Sequence, residues 1–273
     1  MTYPEAMTEA EARPGRRTRI FLSGGSGTVT RPASHLPMMG WGQALGLFLT
    51  DDVEVVNCSR ARASTKSFRE RGRLQWILDE MEPGDYLVMA FGQIDWKPDP
   101  GIHTEPFEDF LEHLRAYVTG ARERQAHPIL MMPFERRRID RHGNVSRFLG
   151  DYPVAMRQLA HEEFVPLVDV YGQSLRWWEE LGPEHSKHVF TYLRPGEPLM
   201  PIVQDADNVH LRAEGAVEVA RFTARALVTQ GLIPAHWVKD LDRRTFSYDE
   251  MGWLDEATFQ HRTKSRVTPA RDL

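Results

Sequence analysis

The chain contains a single cysteine, Cys58, among 273 residues. An internal disulfide is therefore excluded, and the composition suits a reducing compartment. Long hydrophobic runs are lacking as well. No stretch reaches the roughly 18 consecutive apolar residues that read as a membrane span. The opening "MTYPEAMTEAEARPGRRTRI" is acidic and then basic, with no apolar core of signal-peptide length before Ile20. Together these features predict a cytoplasmic protein without a membrane partner. Charge of one sign is scarcely in excess: 34 Lys and Arg face 39 Asp and Glu, for a net charge of −5. That balance gives no basis for a nucleic-acid partner. Internal repeats and low-complexity tracts are absent too.

What is present is ordinary globular material, 41% hydrophobic and 27% charged. The length suits one large domain, or one domain with an appendage. Five short apolar runs read as strands: "RIFLSG" (19–24), "VEVVNCS" (53–59), "DYLVMAFG" (85–92), "HPILMMPF" (127–134) and "VPLVDVYG" (165–172). Each is nearly continuous, as in a parallel sheet covered on both faces. Helical patterns separate them: 40–49, with Trp41, Leu45 and Phe48 on one face, then 67–81, 106–124 and 152–163, with 213–231 closing the series. Alternation of this kind predicts an α/β fold, a three-layer α/β/α sandwich around a five-stranded parallel sheet. Residues 173–212 are less regular. The expected organisation is a disordered leader over 1–17, a domain over 18–234 and an extension over 235–273. That extension is polar but holds Trp237, Phe246, Tyr248, Trp253 and Phe259, which suggests packing on the domain or on a partner subunit, as in a homodimer.

In open parallel sheets ligands bind beyond the carboxyl ends of the strands, so the segments after each strand are the candidates. The first is followed by "GGSG" with Ser26, and the second by "SRARAS" with Arg60, Arg62 and Ser64. The third leads into "GQIDWK" with Gln93, Asp95 and Lys97, and the fourth into "FERRR". Before the last helix lies "DADNVHLRAEG" with Asp205, Asp207 and His210. A serine, a histidine and a carboxylate thus converge on one edge of the sheet, which is a hydrolase arrangement. Three residues apart in a turn, Asp207 can take the Nδ1 proton of His210 and leave Nε2 as a base toward a serine. Each signal has a plainer reading. Ser26 could be a turn or helix-capping residue, Asp207 a surface cap, and the arginines of "FERRR" a solvated loop.

Four blocks resemble the SGNH/GDSL hydrolases, specifically their rhamnogalacturonan-acetylesterase-like branch. "IFLSGGSGTV" stands where that branch has a G-D-S-T turn, and "GWGQALGLFL" with "VEVVNCSRARASTKSF" is similar to its following helix and second block. "MAFGQIDWK" resembles its F-G-H-N-D block, and "YLRPGEPLMPIVQDADNVHLRAEGA" its closing P-G-E…D-N-T-H segment. The resemblance covers about residues 18 to 231. It implies a flavodoxin-like sandwich with Ser26, Asp207 and His210 as a catalytic triad and no cofactor. A shifted register would put Gly27 at the serine position; the ungapped one keeps the strand phase and selects Ser26. Three blocks depart from the pattern. The aspartate before the serine is Gly25, the glycine whose N–H helps form the oxyanion hole is Arg62, and the asparagine that supplies the main oxyanion donor is Ile94. An isoleucine donates no hydrogen bond, and loss of one such donor typically costs ~10²–10³ in turnover. Gln93 is the neighbouring amide that could replace it.

Three readings follow. The favoured one is a serine esterase or acyltransferase acting on an O-acyl ester of a carbohydrate or small metabolite, with the Ser26 and Arg62 N–H groups holding the oxyanion. The second is a pocket turned to transferase, lyase or cyclase chemistry on an anionic metabolite, since Arg62, with Arg60 and Arg136–Arg138, suits carboxylate or phosphate. The third is a non-catalytic binding module. His103, His185 and His188 lack a third clustered ligand, so no metal is expected. Cys58 reads as an inert buried thiol.

Overall fold

The computed structural model describes residues 16–197 and 206–264. Most of the expected leader, and Asp205, lie outside these residues. Arg16 already belongs to the domain, because its guanidinium pairs with the fully buried Asp85 at 2.7 Å.

Five parallel strands form one sheet in the order β2-β1-β3-β4-β5: β1 (Thr18–Gly24), β2 (Val53–Asn57), β3 (Tyr86–Ala90), β4 (His127–Met132) and β5 (Leu167–Asp169). Side chains alternate across a strand, and here both directions are apolar. Ile20, Leu22, Val88, Ile129 and Met131 face one layer, while Phe21, Leu87, Met89, Leu130 and Met132 face the other. That explains why the strands read as unbroken apolar runs. The first layer packs against α1 (Trp41–Ala44), α6 (Val170–His185) and α7 (Ala213–Thr229). The second packs against α2 (Thr65–Glu70), α3 (Arg73–Glu80), α4 (Asp109–Glu123) and α5 (Tyr152–Glu162). The predicted sandwich is present.

The differences are local and have physical causes. The helix expected over 67–81 is two helices, because Gly72 takes a left-handed φ of 73° and turns the chain between them. A Ser64/Ser67 capping box starts the first. The fifth strand is only three residues long. The Asp169 carboxylate accepts the Gly172 N–H at 2.6 Å and begins α6 at once, so the second half of "VPLVDVYG" is helical. A short apolar run does not distinguish those outcomes. Likewise α6 fills part of the stretch read as irregular, with a kink at Gly182 before Pro183.

The extension wraps its own domain. Trp237 meets Tyr86 edge-on at 6.2 Å, Phe246 meets Phe48 at 5.3 Å and Phe259 meets His35 at 4.6 Å. Leu49 bridges Val238 and Pro32 bridges Leu254, and α8 (Glu256–Lys264) ends the described chain. Of the two uses expected for these aromatics, packing on the domain is the one observed.

Candidate active site

β1 ends at Gly24, and the chain turns sharply through Gly25, Ser26 and Gly27, closed by the Thr28 N–H on the Gly25 carbonyl at 3.1 Å. The next helical turns begin only at Ala33, capped by Pro32, and at Trp41, capped by Gly40, so Ser26 caps no helix. Its side chain is partly exposed, and its Oγ accepts the Arg62 backbone N–H at 3.0 Å. A Cβ on Gly27 would stand 2.8 Å from the buried Phe134 ring, so a serine there would have no room. Gly24 is equally confined, since a Cβ would lie 2.7 Å from the Ala90 carbonyl oxygen. The turn therefore admits a side chain at 26 and refuses one on either flank of the Gly25–Ser26 pair.

Before α7 the chain folds around the Asp207 carboxylate. Its Oδ1 accepts the N–H groups of Val209 at 2.7 Å and His210 at 3.0 Å, and its Oδ2 pairs with His210 Nδ1 at 2.6 Å. Burial works to raise the Asp207 carboxyl, but the hydrogen bond and charge of His210, with the two N–H groups, hold it below the ordinary carboxylate range. A carboxylate at Nδ1 makes that nitrogen the protonated one and leaves Nε2 with its lone pair. This loop is fixed from outside as well. Arg137 donates Nη1 to the Asn208 side-chain oxygen at 2.9 Å and its backbone N–H to the Asn208 carbonyl at 2.9 Å. Thr191 donates both its N–H and its Oγ1 to the His210 carbonyl.

The plain reading of "FERRR" as a solvated loop fails for two of its members. Glu135 is fully buried, accepting N–H groups from Arg136, Phe148 and Leu149. Arg137 is buried and bonds Ser186, Tyr192, Pro183 and Asn208. Only Arg138 is exposed.

Electrostatic contacts tie the two loops together. The buried Arg31 guanidinium donates Nη2 to the Ser26 carbonyl at 3.1 Å. Burial pulls its pKa down to about 10, against the attraction of Asp207. Arg136, whose charge also reaches Asp207, lies over the Phe148 ring at 4.1 Å and donates Nη2 weakly, at 3.4 Å, to the Gln93 carbonyl. Lys97 is lowered by burial and then by the charges of Arg62 and Arg136. Arg31 thus stands between the Ser26 carbonyl and the charge of Asp207, and the charges of Arg62 and Arg136 both reach Lys97.

The third-block residues divide. The Gln93 amide nitrogen donates to the Phe134 carbonyl at 2.8 Å, and its oxygen lies 3.1 Å from where a Gly27 Cβ would be. One of its two N–H donors is therefore engaged with Phe134. Ile94 is buried, with Cγ1 3.6 Å from where a Cβ on Gly25 would stand. Asp95, expected at the substrate side, instead serves the fold. It is fully buried and accepts from Thr65 N and Oγ1, Gly92 N and Thr104 Oγ1. These bonds tie β3's exit to the start of α2.

Comparison with known proteins decides the family. Over 216 residues the chain is 39% identical to the rhamnogalacturonan acetylesterase RhgT of Bacillus subtilis, covering 78% of this chain and 91% of that protein. It is 37% identical over 217 residues to the probable rhamnogalacturonan acetylesterase YesY of the same organism, covering 78% and 94%. The chain belongs to the SGNH/GDSL hydrolases, in their rhamnogalacturonan-acetylesterase-like branch. No family model matches it. The crystal structure of Bacillus subtilis YxiM superposes with a TM-score of 0.68 at 26% identity, over 81% of this chain and 58% of that longer one. An acetyl-xylooligosaccharide esterase of Geobacillus, Axe2, shares the fold, with a TM-score of 0.53 at 18% identity over 81% and 96%. Membership makes the chain an enzyme of the SGNH type.

Set against the SGNH pattern, the departures have a spatial logic. Arg62 replaces the second-block glycine while keeping a left-handed φ of 62°, a conformation that favours glycine. On that path the Arg62 N–H reaches Ser26 Oγ at 3.0 Å. The other two departures are neighbours: Ile94 packs against the face of Gly25. A Cβ at 25 would meet the Ala63 carbonyl oxygen at 3.3 Å as well as Ile94, so a carboxylate there would face an oxygen and hydrocarbon rather than a donor. Among the described residues no group of three or more His, Cys, Asp or Glu is placed to hold a metal ion. Cys58 donates to the Val56 carbonyl, and burial pushes its thiol up to about 12. No helix among the described residues is long and apolar enough to cross a membrane.

Arg31 is not singled out by the sequence, whereas Arg137 and Glu135 lie in the segment noted after the fourth strand but spend their polar atoms on the fold. Arg31 had no signal, being one arginine in an irregular loop. A buried arginine within "ERRR" looks the same on paper as an exposed one.

Proposed function

We propose that the protein is a serine acetylesterase acting on an O-acetylated, acidic carbohydrate, with Ser26 as nucleophile, His210 as general base and Asp207 as the group that orients it. The observation that carries this reading is the pairing of Ser26 Oγ with a backbone N–H at 3.0 Å while Asp207 holds His210 Nδ1 at 2.6 Å. Ser26 Oγ attacks the acetyl carbonyl carbon and His210 Nε2 takes its proton. The carbonyl π electrons move to oxygen, and the resulting oxyanion is held by the Ser26 and Arg62 N–H groups. Collapse expels the sugar alkoxide, which receives the proton from His210. Water, giving a proton to the same nitrogen, then attacks the acetyl carbon, and His210 returns that proton to Ser26 Oγ as acetic acid leaves.

The cationic rim of Arg62, Lys97 and Arg136 supports an acidic sugar, because guanidinium groups suit carboxylates. Rhamnogalacturonan, the polymer named for the relatives, carries such groups on its galacturonate units. The test is acetate release from acetylated rhamnogalacturonan oligosaccharides and from a neutral acetylated xylan, by the full chain and by Ser26→Ala. Faster release from the acidic substrate, abolished by Ser26→Ala, is expected. Equal rates would remove the acidic preference. Activity persisting in Ser26→Ala would remove the mechanism.

A further inference from the structure

The C-terminal extension and the nucleophile turn are joined through one residue. Arg31 is only 5% exposed, although it carries a charge. Its Nη2 donates to the Ser26 carbonyl at 3.1 Å, and its Nε has no hydrogen-bond partner among the described residues. Desolvating a guanidinium is expensive. What this one gains is the carbonyl of Ser26 and the charge of Asp207, from the two halves of the site. Its own backbone is fastened at both ends. The Arg31 N–H donates to Gln43 Oε1 at 2.9 Å, and the Arg31 carbonyl accepts the Leu254 N–H at 3.2 Å. Gln43 in turn donates Nε2 to the Met251 carbonyl at 3.0 Å. The extension therefore meets Arg31 directly at Leu254 and through Gln43 at Met251. The other titratable groups here are His35, which burial and then the Arg31 cation hold below the ordinary imidazole range, and Glu256 on α8, which accepts from Ser34 Oγ and opposes that shift.

We propose that Arg31 is a positioning residue for the nucleophile: it fixes the Ser26 carbonyl, and Gln43 with the 251–254 segment of the extension braces Arg31. This rests on the esterase reading above. A tight turn between two glycines has little rigidity of its own, and a hydrogen bond to its central carbonyl fixes the peptide that carries the nucleophile. A displacement of about 1 Å at a reacting atom can cost ~10²-fold in rate. The extension, outside the sandwich, is on this account a working part of the site.

The test compares the full-length wild type with Arg31→Met, Arg31→Lys and Gln43→Met. The readouts are kcat and KM for an acetyl ester, the second-order rate of fluorophosphonate labelling at Ser26, and the folded fraction by near-ultraviolet circular dichroism. Per folded molecule, Arg31→Met should lose about tenfold or more in both kcat and labelling rate, with KM held within about twofold. Arg31→Lys should recover part of that loss, and Gln43→Met should show a smaller loss of the same kind. A merely structural Arg31 would lower the melting temperature and leave kcat and labelling per folded molecule unchanged, which would overturn the proposal. Should Arg31→Met not fold, Arg31→Lys and Gln43→Met decide: wild-type kcat in both overturns it, and a selective fall in kcat supports it. A wild type that neither cleaves nor labels refutes the esterase reading itself, whereas an active wild type with unaffected variants refutes only the role of Arg31.

Discussion

The two halves of the candidate site have been treated differently. The Asp207–His210 loop keeps the Asp, Asn and His of the pattern it resembles and is held from within by three hydrogen bonds to one carboxylate and from outside by Arg137 and Thr191. The segments around Ser26 differ from the SGNH pattern they resemble at Gly25, Arg62 and Ile94. Orienting a proton acceptor depends on particular side chains in particular places. Holding an oxyanion depends partly on backbone N–H groups, which any residue supplies if the chain takes the right path. Arg62 illustrates this, since it follows a glycine's path with an arginine's side chain.

The comparison can be broken most forcefully on the rigid half. Asp207→Asn removes the charge that selects the His210 tautomer, and kcat should fall by about 10⁴-fold with the fold intact. Stopped acetate-release assays with circular dichroism check both clauses. A fall of less than about tenfold would mean that the loop is not doing proton transfer. Next in size is a gain of function on the altered half. Ile94→Asn places an amide donor where the pattern this segment resembles has one, and kcat should rise by about 10- to 10²-fold. Because Ile94 is buried, its thermal midpoint should drop at the same time.

A smaller effect is expected at Arg62. Arg62→Gly relieves a left-handed arginine, worth roughly 1 kcal/mol, but adds glycine's entropy in the unfolded chain, so stability should move by less than about 1 kcal/mol. KM for acidic esters should rise severalfold while KM for neutral esters stays put. The smallest effect concerns Asp95. Burial raises its carboxyl above the ordinary range despite four donated hydrogen bonds. The folded protein therefore binds this proton more tightly than the unfolded chain does. The stability so gained is complete below the ordinary carboxylate range and is lost as pH rises through the raised value. Asp95→Asn cannot titrate, so urea unfolding should show a shallower decline from pH 4 to pH 7 than in the wild type.

The sheet was legible because a doubly covered parallel strand has no polar face to confuse it. Ile20 and Phe21 are both core residues, on opposite sides. The Asp207/His210 pair was legible because its geometry is local, three residues within one turn. The breaks at Gly72 and Asp169 were not, since each depends on one backbone or capping choice inside an otherwise continuous pattern. Asp95 was placed at the mouth because it follows β3, but its donors come from Thr65 and Thr104, which no spacing reveals. Arg31 depends on contacts with residues 43 and 254 and with the Ser26 turn. Its role exists only in three dimensions.

The most direct test of the central claim is intact-protein and peptide mass spectrometry after incubation with a fluorophosphonate. The account predicts one adduct, on Ser26, formed by the wild type and lost in both Ser26→Ala and His210→Ala. An adduct on another residue, or none on a folded wild type, would contradict it.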